Sequence, residues 1–292
     1  MEFDYYSETK ENNKKLPYKK LSIVSLTIAI LLCTVLIATY IHRKNDLERA
    51  KELQTLYYSN TSVEDFYKKS EAQSLEPHKV QERFKPLLEI NSDTVAWIKA
   101  GELADEPVVY KDNDYYLKHD FTKQKNSSGA VFIDIENSNF QQDKYLILYG
   151  HYMKNGGKFG NLEKYRNIQD LKENLIIQWN TIYSNEPETY LVFSVFDASM
   201  AEDDNNYFYL RRFEELKTGD VERQKLIDEL ESRSIFNIPV KVNTNDKILA
   251  LVTCSYGNKD GRLLVFSRKI LANENIDSLK NTVSLKITKN SK

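Results

Sequence analysis

The chain has 292 residues, 41% of them hydrophobic and 29% charged, with a formal net charge of -2. That length allows one sizeable core, and the absence of a basic stripe removes the electrostatic basis for binding nucleic acid, which needs clustered Lys and Arg facing phosphates. Aromatic content is carried mainly by 19 Tyr and 13 Phe, a bias that favours strands.

The first strong feature in chain order is the uncharged stretch 21–41, LSIVSLTIAILLCTVLIATYI, which would span about 30 Å as a helix and so cross a bilayer. A cleaved signal peptide has a shorter apolar region followed by a small-residue cleavage site, and none follows here, so an uncleaved lipid-embedded anchor is expected. Lys14, Lys15, Lys19 and Lys20 on one side face Arg43, Lys44, Arg49 and Lys51 on the other, and charge bias alone barely decides orientation. The short polar N-terminus makes a cytoplasmic segment 1–20 and an extracellular C-terminal part the economical arrangement. Residues 42–75 then form a stalk or helical linker, and 76–292 the main domain.

Charged and apolar residues alternate at helical spacing in 46–58 and 63–73, and less regularly around Pro86 in 79–90. Beyond residue 91 short Val/Ile/Tyr/Phe runs are separated by Asn, Asp, Gly and Ser clusters, the signature of strands and turns. Strands are predicted over 94–99, 107–110, 130–133, 145–150, 175–179, 189–196, 247–254 and 262–270. Eight strands suit a small closed barrel in a mostly β domain. Helices are predicted over 209–216 and 221–232, with Thr218, Gly219 and Asp220 as the break and N-cap between them.

Of the two cysteines, Cys33 falls inside the apolar stretch and Cys254 in the β domain, so they are not expected to pair. A lone thiol in an exported domain is either a buried small hydrophobe or a nucleophile. Cys254 ends an apolar strand, and the turn-forming GNKDG that follows should bring Arg262, at the start of the next strand, towards it. A nucleophilic thiol also needs a proton acceptor. Among four histidines, His42 is juxtamembrane, His78 follows a Pro and His119 lies in the polar KHDF. His151 alone closes an apolar run, YLILYG, where strand gives way to loop. Cys254, His151 and Arg262 thus offer nucleophile, general acid/base and oxyanion donor, the roles of acyl transfer. Thr253, Ser255 and Tyr256 flank the nucleophile as candidate substrate contacts or as structural residues. The acidic Glu202, Asp203 and Asp204 read as a solvated turn, so neither metal nor cofactor is expected.

The nucleophile stretch resembles class B sortases, whose motif T-L-x-T-C followed by Arg matches Leu251, Thr253, Cys254 and Arg262, with Ala250 where the motif has Thr. The resemblance runs upstream through INSDTVAWIKA, EPVVYKDNDYYLKHDF, SGAVFIDIENS and LYGHYMKNGGKFGNL. It implies an eight-stranded sortase barrel with N-terminal helices and a long helix before the nucleophile strand. It also implies a cysteine transpeptidase that cleaves a C-terminal sorting signal of a secreted protein, holds the acyl part as a thioester, and passes it to an amine of peptidoglycan or to a pilin lysine. Wall anchoring is the expected task. A cysteine peptidase, a pilus polymerase and a non-catalytic anchored binding module are the alternatives that the residues leave open.

Overall fold

The computed structural model describes residues 18–59, 79–183, 186–254 and 261–290, with the backbone alone for 18–22 and Cys254. The predicted helix 63–73 and the candidate contacts Ser255 and Tyr256 lie outside the described residues. The chain divides into two units, residues 1–45 and 46–292.

A single helix α1, Tyr18–Ser59, runs through the apolar stretch and on past Asp46. From Ile23 it is long and apolar enough to cross a membrane, and Ile23, Leu31, Leu36 and Tyr40 are all exposed. Its last turns are different in character. Leu53 and Tyr57, four residues apart and so on one face, are buried within the second unit.

That unit is built on a closed barrel of eight strands. They are β1 (Thr94–Ala100), β2 (Ala104–Val109), β3 (Val131–Ile133), β4 (Tyr145–Gly150), β5 (Ile176–Thr181), β6 (Glu188–Ser199), β8 (Ile248–Cys254) and β9 (Gly261–Lys269), while the short β7 (Phe236–Asn237) lies outside the barrel. The predicted strands all appear, with ends shifted by a few residues. Their spatial order is β1-β2-β3-β4-β8-β9-β6-β5, and closure leaves no unpaired edge. Most pairs are antiparallel, but β2 with β3 and β4 with β8 run parallel. A parallel pair needs a long crossover, and the β4-to-β8 connection carries β5, β6, β7 and the helices α3 (Ile168–Glu173), α4 (Phe213–Lys217) and α5 (Asp220–Arg233).

Strand alternation sorts side chains between two cores. Ala96, Ile98 and Ala100 face the larger one, while Trp97 faces a smaller one shared with Leu53, Tyr57, Phe84, Leu87 and Tyr116. Tyr57 stacks on Trp97 with ring centroids 4.2 Å apart, and the Asn180 amide donates to its hydroxyl at 2.7 Å. The predicted segment 79–90 becomes a 3-10 turn, Glu82–Phe84, and α2, Lys85–Ile90, which supply Phe84 and Leu87.

The helix predicted over 221–232 is α5, and Gly219 is its cap residue at φ 140. Leu226, Ile227 and Leu230 bury its inner face. The helix predicted over 209–216 is not formed as such, since α4 begins only at Phe213. The carbonyls upstream are occupied elsewhere: Leu210 accepts from Tyr145 Oη at 3.0 Å, and Tyr209 from Arg212 Nε at 2.8 Å. Side-chain hydrogen bonds, one of them from a distant strand, replace the helical ladder there. The C-terminal part adds α6 (Ile276–Lys286), capped by Asn275, and β10 (Thr288–Lys289), which pairs with β7 in a two-stranded sheet; none of these was anticipated.

Arg268 on β9 is buried and donates in bidentate fashion to Glu274, both bonds 2.7 Å long. The Arg268 hydrogen bonds hold the Glu274 carboxyl below the usual range, against the opposing effect of burial. A carboxylate whose folded pKa is depressed contributes stability above its unfolded pKa of about 4.3, and that contribution fades as pH falls through the folded value. Glu274→Gln should therefore destabilise the fold by about 1–2 kcal/mol at neutral pH. In denaturant titrations the difference from the parent chain should shrink steadily as the buffer is taken into the acid range.

Candidate active site

Pairing registers bring the three sequence-predicted residues to one end of the barrel. Across the antiparallel β8/β9 ladder the Cα partner of Cys254 is Arg262. Across the parallel β4/β8 ladder Tyr149 partners Val252 and Gly150 partners Thr253, so His151 follows directly beside the position of Cys254. Alternate strand positions share a face. Tyr149, His151, Val252 and Arg262 all line one cleft of about 530 Å³, and position 254 belongs to the same face by register. Thr253 lies on the other face. It is buried, and among the described residues its hydroxyl has no hydrogen-bond partner, so it does not line the cleft as a substrate contact would.

His151 is held from several sides. Its Nε2 lies 2.8 Å from the Leu117 carbonyl oxygen. A carbonyl can only accept, so Nε2 carries a proton in both charge states and Nδ1 is the nitrogen that gains and loses one. The main chain is fixed by Phe159 N–H donating to the His151 carbonyl at 3.2 Å. The loop that follows is tied down where the Lys158 amide and ammonium both donate to Glu106, at 3.0 and 3.1 Å. Two glycines make room. A Cβ at Gly150 would sit 2.6 Å from the Phe159 ring, and one at Gly129, whose φ is +60, would sit 2.7 Å from His151 Cδ2.

Among the described residues Arg262 donates to the Gly261 carbonyl at 3.0 Å and has no carboxylate within ion-pair distance. A guanidinium has five N–H groups in a fixed fork, so donors remain for a ligand in the cleft. The far wall was not foreseen. Asp134, fully buried, accepts from Arg211 Nε at 2.9 Å, from Tyr149 Oη at 2.7 Å and from the Glu136 amide at 3.0 Å. Burial first, then the Asp134 carboxylate, pushes the Tyr149 phenol far up, so it stays a donor. The Asp134 hydrogen bond likewise raises Arg211. The non-helical segment before α4 supplies Tyr207, Tyr209 and Leu210 to the same wall.

No pattern in the chain marked Asp134 and Arg211 as partners: they are 77 positions apart, and although Asp134 falls within SGAVFIDIENS, nothing in that stretch points to Arg211. Gly129 was closer to detection, because Ser-Gly before an apolar run marks a turn with positive φ. Leu117 was beyond reach, since it acts through a backbone carbonyl that every residue possesses. His119, set aside from the sequence, is occupied structurally: its ring stacks on Tyr115 at 4.0 Å and its Nδ1 lies 2.8 Å from the Tyr115 carbonyl. The cleft thus sets an imidazole and a guanidinium beside the position of a cysteine.

No family model matches the chain. It is 30% identical over 217 residues to sortase B of Listeria monocytogenes, covering 73% of this chain and 78% of that protein. Among solved structures it is similar to a Staphylococcus aureus sortase B–substrate complex, with a TM-score of 0.62 and 25% identity over 79% of this chain and 98% of the other. A sortase B complexed with triglycine is similar to the same degree, with a TM-score of 0.62 and 25% identity over 79% of this chain and 99% of the other.

Gly129→Ala should crowd the imidazole and force a left-handed backbone on Ala, costing about 1–2 kcal/mol in stability. The chain should still show a cooperative melt by circular dichroism. Any reaction that depends on His151 should slow by about 10- to 100-fold, as expected when a reacting group is displaced by an ångström.

Proposed function

The chain belongs to the sortase B family, and from that premise we propose that it is a membrane-anchored cysteine transpeptidase whose nucleophile is Cys254, whose proton carrier is His151 and whose oxyanion donor is Arg262. The single observation that carries this reading is the register: position 254 faces Arg262 across one ladder and follows the line of His151 across the other, at the mouth of one cleft.

In this mechanism the Cys254 sulfur attacks the scissile carbonyl of a sorting signal, and its proton passes to His151 Nδ1, the nitrogen not committed to Leu117. The carbonyl oxygen takes up negative charge facing the Arg262 fork, which needs no rearrangement to receive it. Collapse breaks the C–N bond, Nδ1 returns the proton to the departing amine, and the acyl group remains on sulfur as a thioester. An incoming amine then attacks the thioester carbon, loses its proton to Nδ1, and leaves with a new amide bond as the thiol re-forms.

The relative bound to substrate supports a sorting-signal peptide as donor, and the one bound to triglycine supports a peptide amine as acceptor. In the biological setting the donor is a secreted protein bearing the signal and the acceptor a peptidoglycan amine, so the product is anchored to the wall. The apolar helix holds residues 21–41 in the bilayer, with the N-terminus cytoplasmic and the catalytic unit outside.

Incubating the full chain in detergent with a library of candidate signal pentapeptides and oligoglycine or a diamino-acid cross-bridge, read by mass spectrometry, tests this directly. A thioester adduct on Cys254 and an amide product that grows with amine concentration are expected. Hydrolysis alone at every amine concentration would reassign the chain as a peptidase. Cys254→Ala should fold normally and lose turnover by about 10⁴-fold or more. Arg262→Ala should lower kcat by about 10²–10³-fold, and Arg262→Lys should restore little, because a point charge does not reproduce the fork.

A further inference from the structure

The imidazole of His151 is clasped by the two ends of a single loop. At its entry the Leu117 carbonyl accepts from Nε2, and at its exit Gly129 packs against Cδ2. Between them the loop closes on itself through Asn126 N–H to Lys118 O at 2.8 Å, Gly129 N–H to Asn126 O at 3.2 Å and Ala130 N–H to Tyr116 O at 3.0 Å. Only Phe121 of its interior enters the smaller core as a fully buried side chain. Much of what holds the loop is therefore polar, and much of that comes from the first turn of α1 beyond the apolar stretch.

Asp46 accepts from Asn126 Nδ2 at 3.0 Å and from Ser128 Oγ at 2.7 Å. The Ser128 hydroxyl also lies 2.6 Å from Asn126 Oδ1, but it has one proton, and an ionised carboxylate is the stronger acceptor. Ser128 and Asn126 are buried, and Ser128 is the immediate neighbour of Gly129. One turn further along, Arg49 donates to the buried Asp120 at 2.8 Å. Asp120 in turn accepts from the amides of Thr122 and Gln124 at 2.9 and 3.1 Å. Among the described residues the helix thus meets the loop through Asp46 and Arg49, and Asp46 reaches Gly129 both through its chain neighbour Ser128 and through Asn126, whose carbonyl accepts from the Gly129 N–H.

We propose that Asp46 is a positioning residue for His151: by fixing Ser128 it sets Gly129 against one side of the ring and keeps Nε2 on the Leu117 carbonyl, so that Nδ1 faces the nucleophile. The assignment rests on the reading of His151 as the proton carrier. Removal of the Asp46 carboxylate turns the Ser128 hydroxyl back onto Asn126 Oδ1 and leaves the Asn126 amide with Asp120 at 3.4 Å, so the loop exit loses its tie to the helix, drifts, and lets the ring exchange tautomers and turn.

The test uses the full chain in detergent micelles with ¹⁵N-labelled histidine. In the parent chain the His151 ring should show the fixed Nε2–H tautomer when neutral. In Asp46→Ala its two nitrogens should move towards the averaged shifts of a freely exchanging imidazole, and kcat on a signal peptide should fall about tenfold with KM within about twofold. Ser128→Ala should shift the ring spectrum and kcat in the same direction but less, since Asn126 keeps its bond to Asp46, and the double variant should be no worse than Asp46→Ala alone. If Asp46→Ala does not fold, Ser128→Ala carries the test alone. An unchanged ring spectrum and unchanged kcat in these variants, whatever happens to the melting temperature, would make Asp46 a merely structural clamp and overturn the inference. The ring spectrum requires no turnover, so a chain that shows the tautomer effect but no transpeptidation refutes the proposed function and leaves the positioning intact.

Discussion

The parallel pairing of β4 with β8 is the constraint on which the rest of this molecule depends. It is the one join that sets His151 beside the end of the strand carrying Cys254, and no local feature of either segment requires it. Parallel strands cannot be linked by a tight turn. The long crossover this demands is put to use: it carries the helices that cover the barrel and the aromatic segment that forms the far wall of the cleft. Barrel closure then leaves β8 flanked on its other side by β9, which fixes Arg262 opposite position 254. Position 254, His151 and Arg262 come to one end of the barrel because each side of one strand has a single neighbour.

The histidine is oriented by a main-chain carbonyl rather than by a titratable partner at that nitrogen. Leu117 O is a fixed dipole of modest strength, so it selects the tautomer without the pull on the imidazolium that a carboxylate would exert. Orientation then depends on steric walls, and here these are glycines: side chains at 129 and 150 would occupy the space that the His151 and Phe159 rings need.

The second core explains why the last turns of α1 are integral to the barrel unit. Trp97 leaves the barrel on the face opposite Ala96 and Ile98 and would be exposed without Leu53, Tyr57 and Phe84 over it. Its indole N–H reaches Asp105 at 2.6 Å, and Tyr58 donates to the same carboxylate at 2.9 Å. Apolar burial sets the axial position of these turns, while Asp46 and Arg49 set what they do to the loop beside the imidazole.

Much of this was legible in the residues themselves. Short Val, Ile, Tyr and Phe runs set between Asn, Asp, Gly and Ser clusters located every barrel strand, because β-branched and aromatic residues suit a pleated surface and turn residues end it. The residue types at strand ends drew Cys254, His151 and Arg262 together as candidates, because acyl transfer admits few chemistries for its reacting groups, and register then brought their positions to one end of the barrel. The uncharged run of 21–41 marked the apolar helix by composition alone. Periodicity, however, reports which face a residue occupies and not which strand lies next to it, so the adjacency of β4 and β8 belonged to the tertiary structure. So did the failure of 209–212 to be helical, since its carbonyls answer to Tyr145 and Arg212 rather than to the next turn. The partners of His151 were hidden for the same physical reason: a backbone carbonyl and a missing Cβ leave no side-chain signature, and only the folded chain decides where they fall.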